Sequence, residues 1–238
     1  MSDKFSRTEI MIGSQSMDKL RESRVAVFGV GGVGSYVVEA LARTGVGEII
    51  IVDKDTVEAS NINRQIIATS KTIGQAKVDI MKDRILEINP DCKVMAYEQL
   101  YLPETANDLI RDDYDYIVDA VDMVTAKIDL VVEADKRNIP IISAMGAGNK
   151  MDPTQFEVTD IYKTSVCPLA KVMRRELRKH NIPSLKVVYS KEKPIKAIRD
   201  EESSDPRKTV TASVAFVPSV SGLIIASEVI KDLIGYER

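Results

Sequence analysis

Tryptophan is absent from this sequence, histidine occurs once, cysteine twice and phenylalanine four times. Two cysteines, Cys92 and Cys167, exclude a disulfide framework and a four-cysteine structural zinc site, and they suit a reducing cytoplasm. So few large aromatic rings predict an aliphatic core. The lone His180 closes a basic segment, which reads as a helix-end cation rather than a general base. Long hydrophobic runs are also missing. The N-terminus, MSDKFSRTEIMIG, lacks the apolar stretch of a secretory signal. The stretch from Val214 to Ile225 is too short to span a bilayer and is interrupted by Pro218 and Gly222, so no membrane association is expected. A net charge of -3 gives no general pull toward nucleic acid or acidic membranes.

The 238 residues, 44% of them apolar, suffice for one sizeable α/β domain with a modest extension. Short aliphatic runs at Arg24–Val30, Glu48–Val52, Lys93–Tyr97, Tyr116–Ala120 and Pro140–Ala144 alternate with helical or loop segments of crossover length. That rhythm predicts a Rossmann-like, doubly wound, mainly parallel sheet with helices on both faces. Helices are expected at about Val33–Arg43, stopped by Gly45, and at Gln75–Ile88, stopped by Asn89–Pro90. The pattern changes after residue 150. Residues 1–150 form the core, and residues 151–238 form a C-terminal α/β extension packed with it as one unit. The extension has strands near Phe156–Thr159 and Leu185–Tyr189, a basic helix at Leu169–His180, an exposed loop at Lys191–Thr209 and a last helix at about Val220–Ile234.

Chemistry concentrates between Val25 and Lys77. Gly29, Gly31, Gly32 and Gly34 satisfy G-x-G-x-x-G after a strand and before a helix, where backbone N–H groups approach a phosphate at a helix N-terminus. Asp53 ends the next strand, 19 residues after Gly34, where a carboxylate accepts ribose hydroxyls. Asp55 either supports it or starts a turn. These features do not choose between NAD and ATP. In SNINRQ, Asn61 and Arg64 share one face of a helical turn, and Lys77 opens the following helix. A nicotinamide needs no such cations. A triphosphate does, because charge builds on its α-phosphate and on leaving pyrophosphate under attack by a carboxylate. Asp122, at the carboxyl edge of the sheet, suits Mg²⁺. From Lys163 to Arg199 there are eleven Lys/Arg against two Glu, which reads either as a polyanion site or as a solvated helix face with a loop.

On these residues the chain resembles the ubiquitin-activating-enzyme superfamily, whose bacterial members adenylate carrier proteins. Gly32, Asp53, Asn61, Arg64, Lys77 and Asp122 fall on its ATP-site positions, and FSRTEIMIG resembles its N-terminal arginine motif. The resemblance implies ATP with Mg²⁺, an acyl-adenylate, and a homodimer in which Arg7 enters the partner's ATP site. The two Cys-x-x-Cys pairs of carrier-protein activators are missing, so no structural zinc is expected. From Gly146 to Lys179, GAGNKMDPTQFEVTDIYKTSVCPLAKVMRRELRK is similar to a narrower branch, the tRNA threonylcarbamoyladenosine dehydratases. That branch implies ATP-dependent cyclisation of threonylcarbamoyladenosine in tRNA, with Lys171, Arg174, Arg175, Arg178 and Lys179 meeting tRNA phosphates. Cys167, just before a proline at a helix start, is either a nucleophile of lowered pKa or a structural residue. An intramolecular cyclisation needs no nucleophile, which favours the structural role. Three other readings stay open at this point: an adenylating enzyme for a sulfur-carrier or ubiquitin-like protein, an NAD-binding oxidoreductase, and a scaffold that recruits a sulfur-transfer protein partner.

Overall fold

The computed structural model describes residues 4–196 and 211–236. The elements run α1 (Ser6–Ile12), α2 (Ser14–Glu22), β1 (Arg24–Phe28), α3 (Gly34–Thr44), β2 (Glu48–Val52), α4 (Lys77–Ile88), β3 (Lys93–Tyr97), α5 (Ala106–Leu109), β4 (Tyr116–Asp119), α6 (Val124–Arg137), β5 (Ile141–Ala144), β6 (Phe156–Asp160), α7 (Pro168–Lys179), β7 (Lys186–Ser190) and α8 (Phe216–Ile234). One seven-stranded sheet has the order β3-β2-β1-β4-β5-β7-β6. Its strands are parallel except β6, which pairs antiparallel with β7. The doubly wound, mainly parallel sheet expected from the sequence is the one that forms. The strands after residue 150 extend this same sheet beyond β5.

Period-two alternation sends each strand's residues to both faces. Val25, Val27, Ile49 and Ile51 pack with Val37, Leu41, Met81, Ile85, Ile225 and Val229 of α3, α4 and α8. Ala26, Phe28, Ile50 and Val52 pack on the other face with Tyr101, Leu109, Leu130 and Ala134. Strands covered on both faces need continuous apolar runs, which explains IIIV in β2. Truncating the fully buried Ile51 to alanine is expected to cost about 2–5 kcal/mol. The aliphatic expectation needs one correction, since Tyr101, Tyr114, Tyr116 and Tyr189 are also buried. Their rings lie in the core because each hydroxyl donates to a polar group: Asp129, the Leu109 carbonyl, Asp232 and Glu157 at 2.7, 3.0, 2.7 and 3.4 Å.

Boundaries moved for local reasons. β1 stops at Phe28 because Gly29 turns the chain at φ 90°. Gly45 ends α3 in the left-handed conformation. α8 begins at Phe216 rather than Val220, since Pro218 falls in the first turn, where a missing N–H costs nothing. Of the loop expected from Lys191 to Thr209, residues 197–209 lie outside the described residues. No described helix is long and apolar enough to cross a membrane.

Candidate functional site

The strand order reverses between β1 and β4, and an open α/β sheet leaves a crevice beyond the carboxyl ends at such a point. A cleft of about 570 Å³ opens there. Gly29, Gly31 and Gly32 form its floor, residues between Asp53 and Lys77 form one wall, and Asp122 stands on the β4 side. Gly146, Ala147, Gly148, Leu169, Thr211 and Ser213 line the rest.

The glycine turn is tight enough to demand glycine. A Cβ on Gly29 would lie 2.6 Å from the Ala120 carbonyl oxygen, and one on Gly34 would lie 1.8 Å from that of Gly29. No side chain caps α3; the Ser35 and Tyr36 N–H groups donate to the Gly31 and Val33 carbonyls at 3.1 Å, which among the described residues leaves the Gly34 N–H at the helix start for an anion. Asp53 braces this turn. One of its carboxylate oxygens accepts from Val30 N at 2.6 Å and the other from Asp55 N at 2.9 Å. A carboxylate has about four acceptor positions, so Asp53 still has capacity for ribose hydroxyls.

The polar wall is pre-ordered by its own hydrogen bonds. Asn61 is buried, and its Oδ1 accepts the Glu58 N–H at 3.2 Å, capping the 3₁₀ turn Ala59–Asn61. Arg64 Nη1 donates to the Ser60 carbonyl at 2.9 Å and to Asn63 Oδ1 at 2.8 Å, both neutral partners. Its side chain lies over Gly32. Lys77, buried at the start of α4, donates to Asp55 Oδ2 at 3.0 Å. Asp55 therefore holds the lysine rather than merely starting a turn. Burial works to raise the Asp55 carboxyl, but hydrogen bonds and charge from Lys54 and Lys77 outweigh it and hold the group below its ordinary range. Lys54 is raised first by its contact with Asp55, then by the fields of Asp53 and Asp122.

Asp122 is exposed and accepts no hydrogen bond within the described residues. Those residues gather no group of three or more His, Cys, Asp or Glu for a metal. A single free carboxylate fits Mg²⁺, which keeps most of its shell as water and phosphate oxygens. Arg7 is exposed on α1 and does not line this chain's own cleft.

The basic cluster on α7 divides. Lys171, Arg175, Arg178 and Lys179 are exposed. Arg175 and Lys179 share Glu176 at 2.7 and 2.6 Å, and the Arg178 guanidinium lies 5.3 Å from the Tyr162 ring centroid. Arg174 turns inward, half-buried, and donates to the Thr164 carbonyl at 3.1 Å and to its hydroxyl. It ties α7 to the preceding turn. Cys167 is 2% exposed at the start of α7, among Val131, Met145, Ile161 and Met173. The other cysteine, Cys92, has its thiol pushed up to about 11 by burial.

Sequence reasoning passed over Gln65, which is buried in the cleft wall with Oε1 free of any hydrogen bond among the described residues. Its signal was present, since it lies one helical turn after Asn61. Lys150 was also missed. It is buried beside the Gly146–Gly148 edge, donates to the Glu192 carbonyl, and its ammonium is lowered chiefly by burial.

Residues 5–238 match the family model described as the ThiF family. The chain is 48% identical over 243 aligned positions to the tRNA threonylcarbamoyladenosine dehydratase of Bacillus subtilis strain 168, across 98% of this chain and 96% of that protein. The structure superposes on E. coli tRNA N6-threonylcarbamoyladenosine dehydratase in complex with ATP, with TM-score 0.88 and 31% identity over 98% of this chain and 94% of the other. The complex of that protein with AMP gives TM-score 0.87 and 32% identity over the same shares.

Proposed function

This chain belongs to the ThiF family, and from that membership and its cleft we infer that it carries out the ATP-dependent dehydration of threonylcarbamoyladenosine in tRNA. The observation that carries the reading is one cleft in which a glycine turn, a ribose-side carboxylate and the cations Arg64 and Lys77 converge. That cleft belongs to a chain alike over its whole length to dehydratases.

The threonyl carboxylate attacks the α-phosphorus of ATP, and the bond to pyrophosphate breaks. A nucleophile within the same modification then attacks the acyl carbon, closing a ring and releasing AMP. The net change in the nucleoside is the loss of one water. Orientation and charge neutralisation supply the rate, since both reacting groups sit on one bound molecule. Asp53 holds the ribose, the α3 N-terminus and Gly31–Gly32 receive phosphate oxygens, and Arg64 and Lys77 offset the charge that develops. Asn61 contacts the phosphate or the attacking carboxylate. Asp122 would hold Mg²⁺, which would supply further positive charge against the phosphates.

Arg7 reaches the cleft of a second copy. Supporting this, α1 exposes Ile10 and Met11, each 86% accessible, beside it. Mixing Arg7→Ala with Arg64→Ala tests the dimer, because a mixed pair has one intact site; no recovery of activity overturns it. Lys171, Arg175, Arg178 and Lys179 meet tRNA phosphates in the cytoplasm. Changing Lys171, Arg175 and Arg178 to glutamine should flatten the salt dependence of tRNA binding by about 0.7–0.9 log units per lost contact. Arg174→Gln should lower the melting temperature and leave that slope alone.

The decisive test is incubation with ATP and modified tRNA, followed by mass spectrometry of the nucleosides. The expected product is threonylcarbamoyladenosine minus one water. No mass change under conditions where ATP binds overturns the reading.

A further inference from the structure

We propose that the buried ion pair Asp119–Lys127 is a positioning device that sets Asp122 and the Gly29 turn against the same phosphates; the proposal rests on the ATP-dependent reading above. Both side chains are fully buried, with Lys127 Nζ 3.0 Å from Asp119 Oδ1 and 2.9 Å from Oδ2. Lys127 also donates to the Val121 carbonyl at 3.1 Å, while Asp119 Oδ1 accepts the Val121 N–H at 3.3 Å. The pair thus grips both backbone polar groups of the residue immediately before Asp122. The same turn packs on the glycine turn, since a Cβ on Gly29 would lie 2.6 Å from Ala120 O and 3.0 Å from Val121 N. Moving it shifts two walls of the cleft together.

Stability alone is a poor reason for this pair. Desolvating two charges costs about as much as their attraction returns, and well-packed apolar replacements are often neutral or stabilising. Position 127 is flanked on α6 by buried Ala126, Leu130 and Val131, so an unbranched apolar side chain has neighbours there. Methionine cannot supply directional hydrogen bonds to the Val121 peptide. Placement of a carboxylate within a fraction of an ångström is what phosphoryl chemistry needs.

The test replaces the pair by Lys127→Met with Asp119→Leu. The expected variant melts at or above the wild-type temperature and binds ATP within about threefold in excess Mg²⁺. Its half-saturating Mg²⁺ for ATP binding rises severalfold, and pyrophosphate release falls by about 10–100-fold. Because part of the effect runs through Asp122, adding Asp122→Ala should leave the triple variant slower than Asp122→Ala alone by a smaller factor than the one separating the double variant from wild type. Wild-type Mg²⁺ dependence and rate in the double variant overturn the proposal, as does a triple variant that loses the full product of both effects. If the double variant does not fold, Lys127→Arg keeps the charge but not the three-way grip, and the same readouts apply. The Mg²⁺ titration of ATP binding needs no tRNA, so it decides this proposal even where tRNA proves not to be the substrate.

Discussion

The two ends of the cleft are built differently. At the nucleotide end, the glycine turn and the wall from Asp53 to Lys77 come from about fifty consecutive residues. Their polar groups are already held: Asp53 by Val30 and Asp55, Arg64 by Ser60 and Asn63, Lys77 by Asp55. At the other end, Gly146–Gly148, Leu169 and the stretch Thr211–Ser213 come from three separate places in the chain. Asn149 joins the first of these to the last, and Asn63 reaches the last from the nucleotide wall. Asn149 exchanges backbone and side-chain hydrogen bonds of 2.8 Å with Ala212, and Asn63 donates to the Ser213 carbonyl at 2.9 Å. Binding a constant ligand favours a rigid, locally encoded cradle. We propose that the edge assembled by long-range contacts is the part that receives the modified base.

That contrast can be broken in several ways. Lys77→Ala removes a cation from the nucleotide end and leaves Asp55 without it. We expect kcat/KM for pyrophosphate release to fall by about 10²–10³-fold; a fall below threefold would show that the wall does not carry the charge.

Glu39→Gln tests the frame behind the same end. Glu39 on α3 accepts from Arg84 on α4 at 2.6 and 3.0 Å and from Arg43 at 2.7 Å. Burial works to raise its carboxyl, but hydrogen bonds from the two arginines more than offset this and hold it below its ordinary value. A carboxyl lowered on folding stabilises above its unfolded pKa, and that contribution is lost as pH falls through the folded value. The variant should therefore lose about 2 kcal/mol at neutral pH by chemical denaturation. The gap to the wild type should close below about pH 4.

Gly148→Ala perturbs only the far end, where a Cβ would lie 2.1 Å from Thr211 Cγ2. We expect KM for modified tRNA to rise by about tenfold while ATP affinity stays constant. A matching loss of ATP affinity would mean that the two ends are one rigid unit. The smallest effect belongs to Cys167→Ala. The residue is packed among apolar side chains, so turnover per folded molecule should be unchanged, and a loss beyond tenfold would restore it as a nucleophile.

Much of this was legible in the sequence. β2 and β3 were read to the residue, because each is a short, mostly apolar run closed by an acidic residue, Asp53 and Glu98, which is a local signal. The glycine turn, Asp53, Asn61, Arg64 and Lys77 were read from spacing alone and line one cleft. What failed was side-chain direction. Arg174 looked like its basic neighbours until packing turned it onto Thr164. Sequence reasoning passed over Asp119 and Lys127, which are fully buried as a pair.

The sequence by itself determined the order of strands and helices, the parallel sheet they demand and the nucleotide end of the cleft, since all of these follow from periodicity and from motifs spaced within about fifty consecutive residues. Only the tertiary structure decided which charges face water and which face one another. It also decided how Gly148, Leu169 and Ser213 meet, because burial and long-range packing act between residues whose separation along the chain carries no local signal.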